Sequence, residues 1–308
     1  MIVVCGEALI DLVPTDGADS YRARPGGSPT NVAVGLGRLG VDVRLVTRLA
    51  EDHFGRLLRD HLDGSHVDLR WAVPAQEPST LAVVSLDAAG LAEYAFYVRG
   101  AADGGWTPRD LPAVLPDGAV LHVSGSLALG LASMGDTFEA LLEREHGRRV
   151  VTLDPNVRPP IDGDDGALRA RLDGWLGLVD LVKVSADDLA WLAPDEPVAS
   201  VAARWLDRGP SLVVVTLGPD GALAVGRAGS VELPGVAVTV ADTVGAGDAF
   251  TSGLLAALHT AGHLSCDGLA TVGPAELTDA LTFAQRVATI TCTRVGADPP
   301  WRHELATA

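Results

Sequence analysis

The sequence predicts an α/β protein, a mostly parallel sheet with helices on both faces, into which a small antiparallel β insert is set. Three observations carry that prediction. Short β-branched runs bounded by Gly, Pro and Asp recur along the 308 residues: IVVC, VRLVTRL, VLHVSG, RVVTLD, LVKVS, SLVVVTLG and VAVTVAD. Between them lie amphipathic helical stretches, Asn31 to Leu39, Asp52 to Asp63, Met134 to His146 and Val198 to Arg208. The rhythm breaks between Leu69 and Arg99, where LRWAV, STLAVVSLD and EYAFYVRG follow one another with no helix between them.

Taken in order, the opening MIVVCGEALIDLV is apolar only as far as Glu7 and has no basic leader, so it reads as a first strand rather than a signal peptide. Asp11 follows that strand. Gly35, Gly37 and Gly40 spell G-x-G-x-x-G with Glu51 and Asp52 downstream, the dinucleotide-binding pattern. The preceding ARPGGSPT is no buried strand, however, and these glycines fall within or at the end of a helix instead of opening one. The three runs from Leu69 to Arg99 read as a lid joined by Tyr21 to Arg24, with an antiparallel extension of the main sheet as the alternative. Near the C-terminal end a strand closes at Asp242, a glycine-rich turn follows, and a long apolar helix begins near Ala246. Glycines at 245 and 247 let the backbone approach a ligand, and the helix N-terminus favours an anion there. Asp248 stands beside that anion, either as an acceptor of a proton or as a complement to the helix dipole.

Composition excludes several classes. Asp and Glu number 40 against 23 Lys and Arg, a net charge of −17 that would repel nucleic acid and anionic membrane surfaces. No apolar run reaches the roughly 18 residues of a membrane helix. Cys5, Cys266 and Cys292 are odd in number and far apart, which fits reduced thiols and a cytoplasmic location. Lys183 is the only lysine. A Walker A loop and a protein-kinase ATP site both need a lysine in a context that Lys183 lacks, so a bound ATP needs another phosphate cradle.

The string DTVGAGDAF, Asp242 to Phe250, resembles the C-terminal signature of the PfkB/ribokinase-like carbohydrate kinases, and RPGGSPTNVAVGLGRLG, Arg24 to Gly40, resembles their first signature. The resemblance covers essentially the whole chain and implies one ribokinase-like three-layer α/β/α domain over 1–308, with a β lid formed by approximately 12–25 and 69–101. It implies that Asp248 is the catalytic base and that Gly245, Ala246 and Gly247 form the anion hole. On the sugar side it implies Asp11, Gly27 and Asn31, a ring cap from Phe96 or Tyr97, Arg99 from the edge, and Arg158 of DPNVRP; alone, Asn31 reads as a helix N-cap. On the nucleotide side it implies Lys183, Ser185, Thr216, Gly218, Gly221, Ala284 and Ala288. Asp242, Val244 and Gly296 match a monovalent-cation loop, expected to hold K⁺, although Val stands where the family often has Thr. Asp188 would organise Mg²⁺ through water, one methylene shorter than the usual Glu and with Asp187 as a competitor.

The motifs look most like bacterial fructokinases, so fructose and Mg-ATP are the expected substrates. The alternatives are a 2-keto-3-deoxygluconate kinase with Arg99 facing the substrate carboxylate, a nucleoside kinase, or a silent sugar-binding regulator. A homodimer through the lid edge is a further expectation.

Overall fold

The computed structural model describes residues 1–15, 17–86, 92–158 and 165–306. The chain opens with β1 (Ile2–Cys5), β2 (Leu9–Thr15) and β3 (Gly17–Gly26), then runs through α1 (Ser28–Arg38), β4 (Val43–Ala50), α2 (His53–Gly64) and β5 (Ala72–Ala75). β6 (Thr80–Leu86) and β7 (Ala92–Tyr97) precede β8 (Val120–Ser124), α3 (Ser126–Gly130), α4 (Ala132–Glu145) and β9 (Val151–Asp154). Then come α5 (Asp165–Leu176), β10 (Leu181–Ser185), α6 (Ala186–Leu192), α7 (Val198–Leu206) and β11 (Leu212–Thr216). The chain closes with β12 (Gly221–Gly226), β13 (Gly229–Pro234), α8 (Ala246–Thr260), α9 (Cys266–Thr271) and α10 (Pro274–Cys292).

Nine strands form the main sheet in the order β13-β12-β11-β10-β9-β8-β1-β4-β5. From β11 to β5 the pairing is parallel, and β12 and β13 add an antiparallel hairpin at one edge. Successive side chains of a strand point to opposite faces, and the cores follow that period. Ile2, Val4 and Val214 pack with α1, α8 and α10 residues such as Leu36, Leu254 and Leu281. Val3, Val213 and Val215 pack on the other face with Phe138, Leu172 and Val201. The result is the expected three-layer α/β/α arrangement. Strand order reverses at β1, which brings Glu7, Ser124 and Asp154 together at the carboxyl edge, where open α/β sheets take their ligands.

A second sheet has the order β3-β2-β6-β7. β2 pairs antiparallel with β3 and parallel with β6, and β6 pairs antiparallel with β7. The register aligns Arg24, Asp11, Ala82 and Phe96 across one face. LRWAV is not part of it: Ala72–Ala75 pairs with Thr47–Ala50 at the edge of the main sheet, because a parallel neighbour was open there. Residue 16 and residues 87–91, within the two expected lid segments, lie outside the described residues. The expected strand VAVTVAD joins no ladder. Its place at the sheet edge is taken by β13, so Val236 and Val240 stay 56% and 54% exposed.

The glycines of the G-x-G-x-x-G string serve packing: a side chain on Gly35 would collide with Ser252 of α8 and one on Gly37 with the Ser65 carbonyl, while Gly40 leaves the helix at φ 78°. Among the described residues no helix is long and apolar enough to cross a membrane.

Candidate active site

The site is built on the N-terminus of α8. Gly245 caps the helix in the left-handed region at φ 75°, and a methyl there would come within 2.5 Å of Ala297 Cβ. Glycine therefore answers both the backbone and the close approach. The turn leaves the N–H groups of the first helical residues without intrahelical acceptors, so it offers donors and a positive dipole end to an anion. Asp248 lies in that first turn, only 7% exposed. Its Oδ1 accepts from Ser28 Oγ at 2.7 Å and its Oδ2 from Asn31 Nδ2 at 2.8 Å. Ser28 and Asn31 are three residues apart on α1, hence on one face of the helix. Burial raises the Asp248 carboxyl above the usual aspartate range, against the two hydrogen bonds, which pull it down.

Behind the turn lies a buried ion pair. Lys183 Nζ donates to Asp154 Oδ2 at 3.0 Å, and Thr251 Oγ1 donates to the same oxygen at 2.9 Å. Thr251 is three residues along α8 from Asp248, so the helix carries both on one face. A methyl on Gly247 would come within 3.2 Å of Lys183 Nζ, which places the only lysine against the anion turn. Burial works against its charge, but the carboxylates of Asp154, Asp188 and Asp248 outweigh that and raise its pKa.

On the other side the small sheet presents Asp11, whose carboxylate overlies Gly26 so closely that any side chain there would collide with it. Burial, then the charge of Asp248, raise Asp11 to about 7, while Arg158 opposes them. Glu7 is buried with Oε2 lacking a hydrogen-bond partner, and burial followed by the charge of Asp103 raises it strongly. Gly27, at φ 99°, packs against the Glu7 carbonyl, which also accepts from Thr30 Oγ1 at 3.0 Å. Phe96 stacks on Tyr94 with ring centroids 6.1 Å apart, and the Tyr94 phenol is raised by burial and then by Asp11. Alternation sends Tyr97 to the opposite face, where it is 62% exposed, so of the two expected caps only Phe96 lines the site face. Arg99 is exposed just beyond β7. Arg158 Nη1 donates to the Val157 carbonyl at 2.7 Å, close enough to the carboxylates to lower Glu7 and Asp11.

The expected nucleotide side is less uniform. Thr216 ends β11, and Gly218 and Gly221 follow with φ 59° and 111°. Ala284 is wholly buried against Gly253 of α8, which leaves it no surface for a nucleotide, whereas Ala288 is half-buried one turn on. Ser185 and Asp188 form a reciprocal capping box on α6: Asp188 N donates to Ser185 Oγ at 3.0 Å and Ser185 N to Asp188 Oδ2 at 3.3 Å. Asp188 is thus engaged as a helix cap, and Asp187 is exposed.

The model of the pfkB family carbohydrate kinases matches residues 1–304. The chain belongs to that family. It is 41% identical to a fructokinase of Rhizobium leguminosarum bv. trifolii, over 84% of this chain and 79% of the relative. It is 37% identical to a fructokinase of Klebsiella pneumoniae, over 96% and 94%. A fructokinase of Vibrio cholerae O395, solved with fructose, ADP and calcium ion, superposes with a TM-score of 0.83 at 30% identity, covering 99% of this chain and 97% of that one.

As a carbohydrate kinase the protein moves a phosphoryl group from ATP to a sugar hydroxyl, and its site can be weighed for metals on that basis. Among the described residues no three His, Cys, Asp or Glu side chains gather as a metal cage. The residues fit a divalent ion that arrives on the nucleotide phosphates, where it would neutralise charge. Asp242, Val244 and Gly296 do meet: Asp242 Oδ1 accepts from Val244 N at 3.0 Å and Oδ2 from Gly296 N at 2.8 Å. Ser28 and Thr251 were not among the residues singled out from sequence, and Asp154 entered only as the first residue of DPNVRP. The i,i+3 spacings to Asn31 and Asp248 were the available signal for Ser28 and Thr251.

Proposed function

We propose that this kinase transfers the γ-phosphoryl group of Mg-ATP to the terminal hydroxyl of fructose, with Asp248 as the base. The observation that carries the reading is Asp248 itself, buried, raised in pKa and oriented by Ser28 and Asn31 at the mouth of the glycine turn. A carboxylate raised above its ordinary range is a better proton acceptor, and two donors fix its direction. The turn and Lys183 would hold the transferred group, while Asp11, Gly27, Asn31 and Phe96 would hold the sugar. Closure of the small sheet over the site would exclude water and limit ATP hydrolysis. The names of the relatives support fructose as acceptor. A K⁺ requirement at the Asp242 loop and an intracellular location belong to the same reading.

A coupled ADP-release assay with Mg-ATP and K⁺ across fructose, glucose, ribose, adenosine and 2-keto-3-deoxygluconate tests it. Fructose is expected to give the highest kcat/KM, and Asp248→Asn to lower kcat by about 10³-fold with fructose binding retained. Preference for another acceptor refutes the substrate; a variant within tenfold of wild type refutes the base.

A further inference from the structure

A cleft of about 270 Å³ opens between β3 and the loops at 242–244 and 295–297. Asp11 and Asp242 stand on its walls, and Arg22 and Arg24 both line it. The two arginines are two residues apart on one strand and so share a face. Register sets Arg24 directly across from Asp11 and Arg22 across from Val13. Among the described residues neither guanidinium makes an ion pair or a side-chain hydrogen bond, in a chain whose acidic residues outnumber its basic ones 40 to 23. Two such forks on one wall form a surface for an anion with several oxygens.

The cleft adjoins the anion turn. Arg24 lies on Gly296, where a methyl would come within 3.3 Å of Nη1. The next residue, Ala297, is the one that Gly245 packs against. A single step along the chain, about 3.8 Å between Cα atoms, therefore separates the residue under the cation from the residue under the turn. Asp11 lies on the same cleft, so the cleft borders the sugar position and the phosphate position together.

We propose that Arg24, backed by Arg22, receives the phosphoryl group as it passes to the sugar and holds it on the product. The proposal rests on the phosphotransfer reading of Asp248. In the transfer the acceptor oxygen forms its bond to the γ-phosphorus, the bond from that phosphorus to the β–γ bridging oxygen breaks, and its electron pair leaves with ADP. The hydroxyl proton passes to Asp248. Charge spreads over the three equatorial oxygens at that moment, and a guanidinium fork facing them stabilises it. The anionic sugar phosphate then stays paired with the arginines until the small sheet moves away.

The test compares wild type, Arg24→Gln, Arg24→Lys and the double variant R22Q/R24Q, with fructose and with a sugar acid as acceptors. Circular dichroism of each variant checks the fold, which surface-facing glutamines leave intact. Arg24→Gln is expected to lower kcat with fructose by about 100-fold. It also weakens product inhibition by the sugar phosphate about tenfold and leaves calorimetric fructose affinity unchanged; Arg24→Lys restores part of the loss and R22Q/R24Q deepens it. Unchanged kcat and product inhibition overturn the proposal. So does a loss confined to the sugar acid, which would assign the cations to an anion on the acceptor itself. If wild type phosphorylates no acceptor, the phosphotransfer reading has failed on its own account. The arginines are then read by inorganic phosphate binding in the presence of ADP, where equal affinity of wild type and R24Q overturns them and a lost affinity upholds an anion site.

Discussion

Lys183→Met isolates the contribution of the buried pair behind the turn. Lys183 and Asp154 side chains are 5% and 1% exposed and 3.0 Å apart, so removing the cation leaves a carboxylate in a site water does not reach. Breaking one side of such a pair costs about 3–5 kcal/mol. Here the lower end applies, about 3 kcal/mol, because Thr251 Oγ1 and the Asn156 amide still donate to Asp154. Replacing the orphaned carboxylate in turn, as Lys183→Met with Asp154→Asn, is expected to recover about 1–2 kcal/mol, since the cost lies in the uncompensated charge. Urea unfolding followed by tryptophan fluorescence at pH 7.5 measures both. A single variant that loses less than about 1 kcal/mol, as an exposed pair would, or a double variant less stable than the single, refutes the account.

Other expectations follow from the same geometry. Gly245→Ala meets a φ of 75° and Ala297 Cβ at 2.5 Å, so it is expected to lower kcat at least tenfold and cost about 1–3 kcal/mol of stability, read by turnover and thermal melting. Because Asn31 donates to Asp248 and lowers its pKa, Asn31→Ala moves the acid limb of the kcat profile to higher pH; a limb that stays or moves down contradicts the assignment. Asp11, raised to about 7, binds a proton in the folded protein that the unfolded chain releases above about 4. Its contribution is thus a destabilisation that grows as pH rises from about 4 to about 7. Asp11→Asn should add about 2 kcal/mol of stability at pH 8, discounted for its partial exposure, none at pH 4, and abolish sugar binding.

The alternation of strands and helices was legible because buried parallel strands are continuous β-branched runs, and IVVC, VLHVS and LVKVS all fall in the main sheet. Val236 to Asp242 has the same local character and is no strand, since a ladder also needs a free edge and β13 holds it. LRWAV shows the converse: the choice of sheet is made by which neighbour is open, and no residue within the run encodes that. Near the glycine turn, Asp248, Asn31 and Lys183 could be picked out from type and context, and the structure brings all three together there. The engagement of Asp188 was readable too, as S-x-x-D at a helix start is a cap pattern, but its alignment with a family carboxylate obscured it. The depth of Ala284 was not legible, because residues 284 and 288 lie one turn apart yet differ in burial, which depends on how closely α10 approaches Gly253.

The single lysine also decides how the molecule meets covalent reagents. Lys183 is 4% exposed and paired with Asp154, so amine-directed reagents meet this side chain shielded while the fold holds. Acylation of the Lys183 amine would then be slow in the folded chain. A label there would report that the sheet had opened far enough to bare its interior, which makes Lys183 a built-in chemical counter of unfolding.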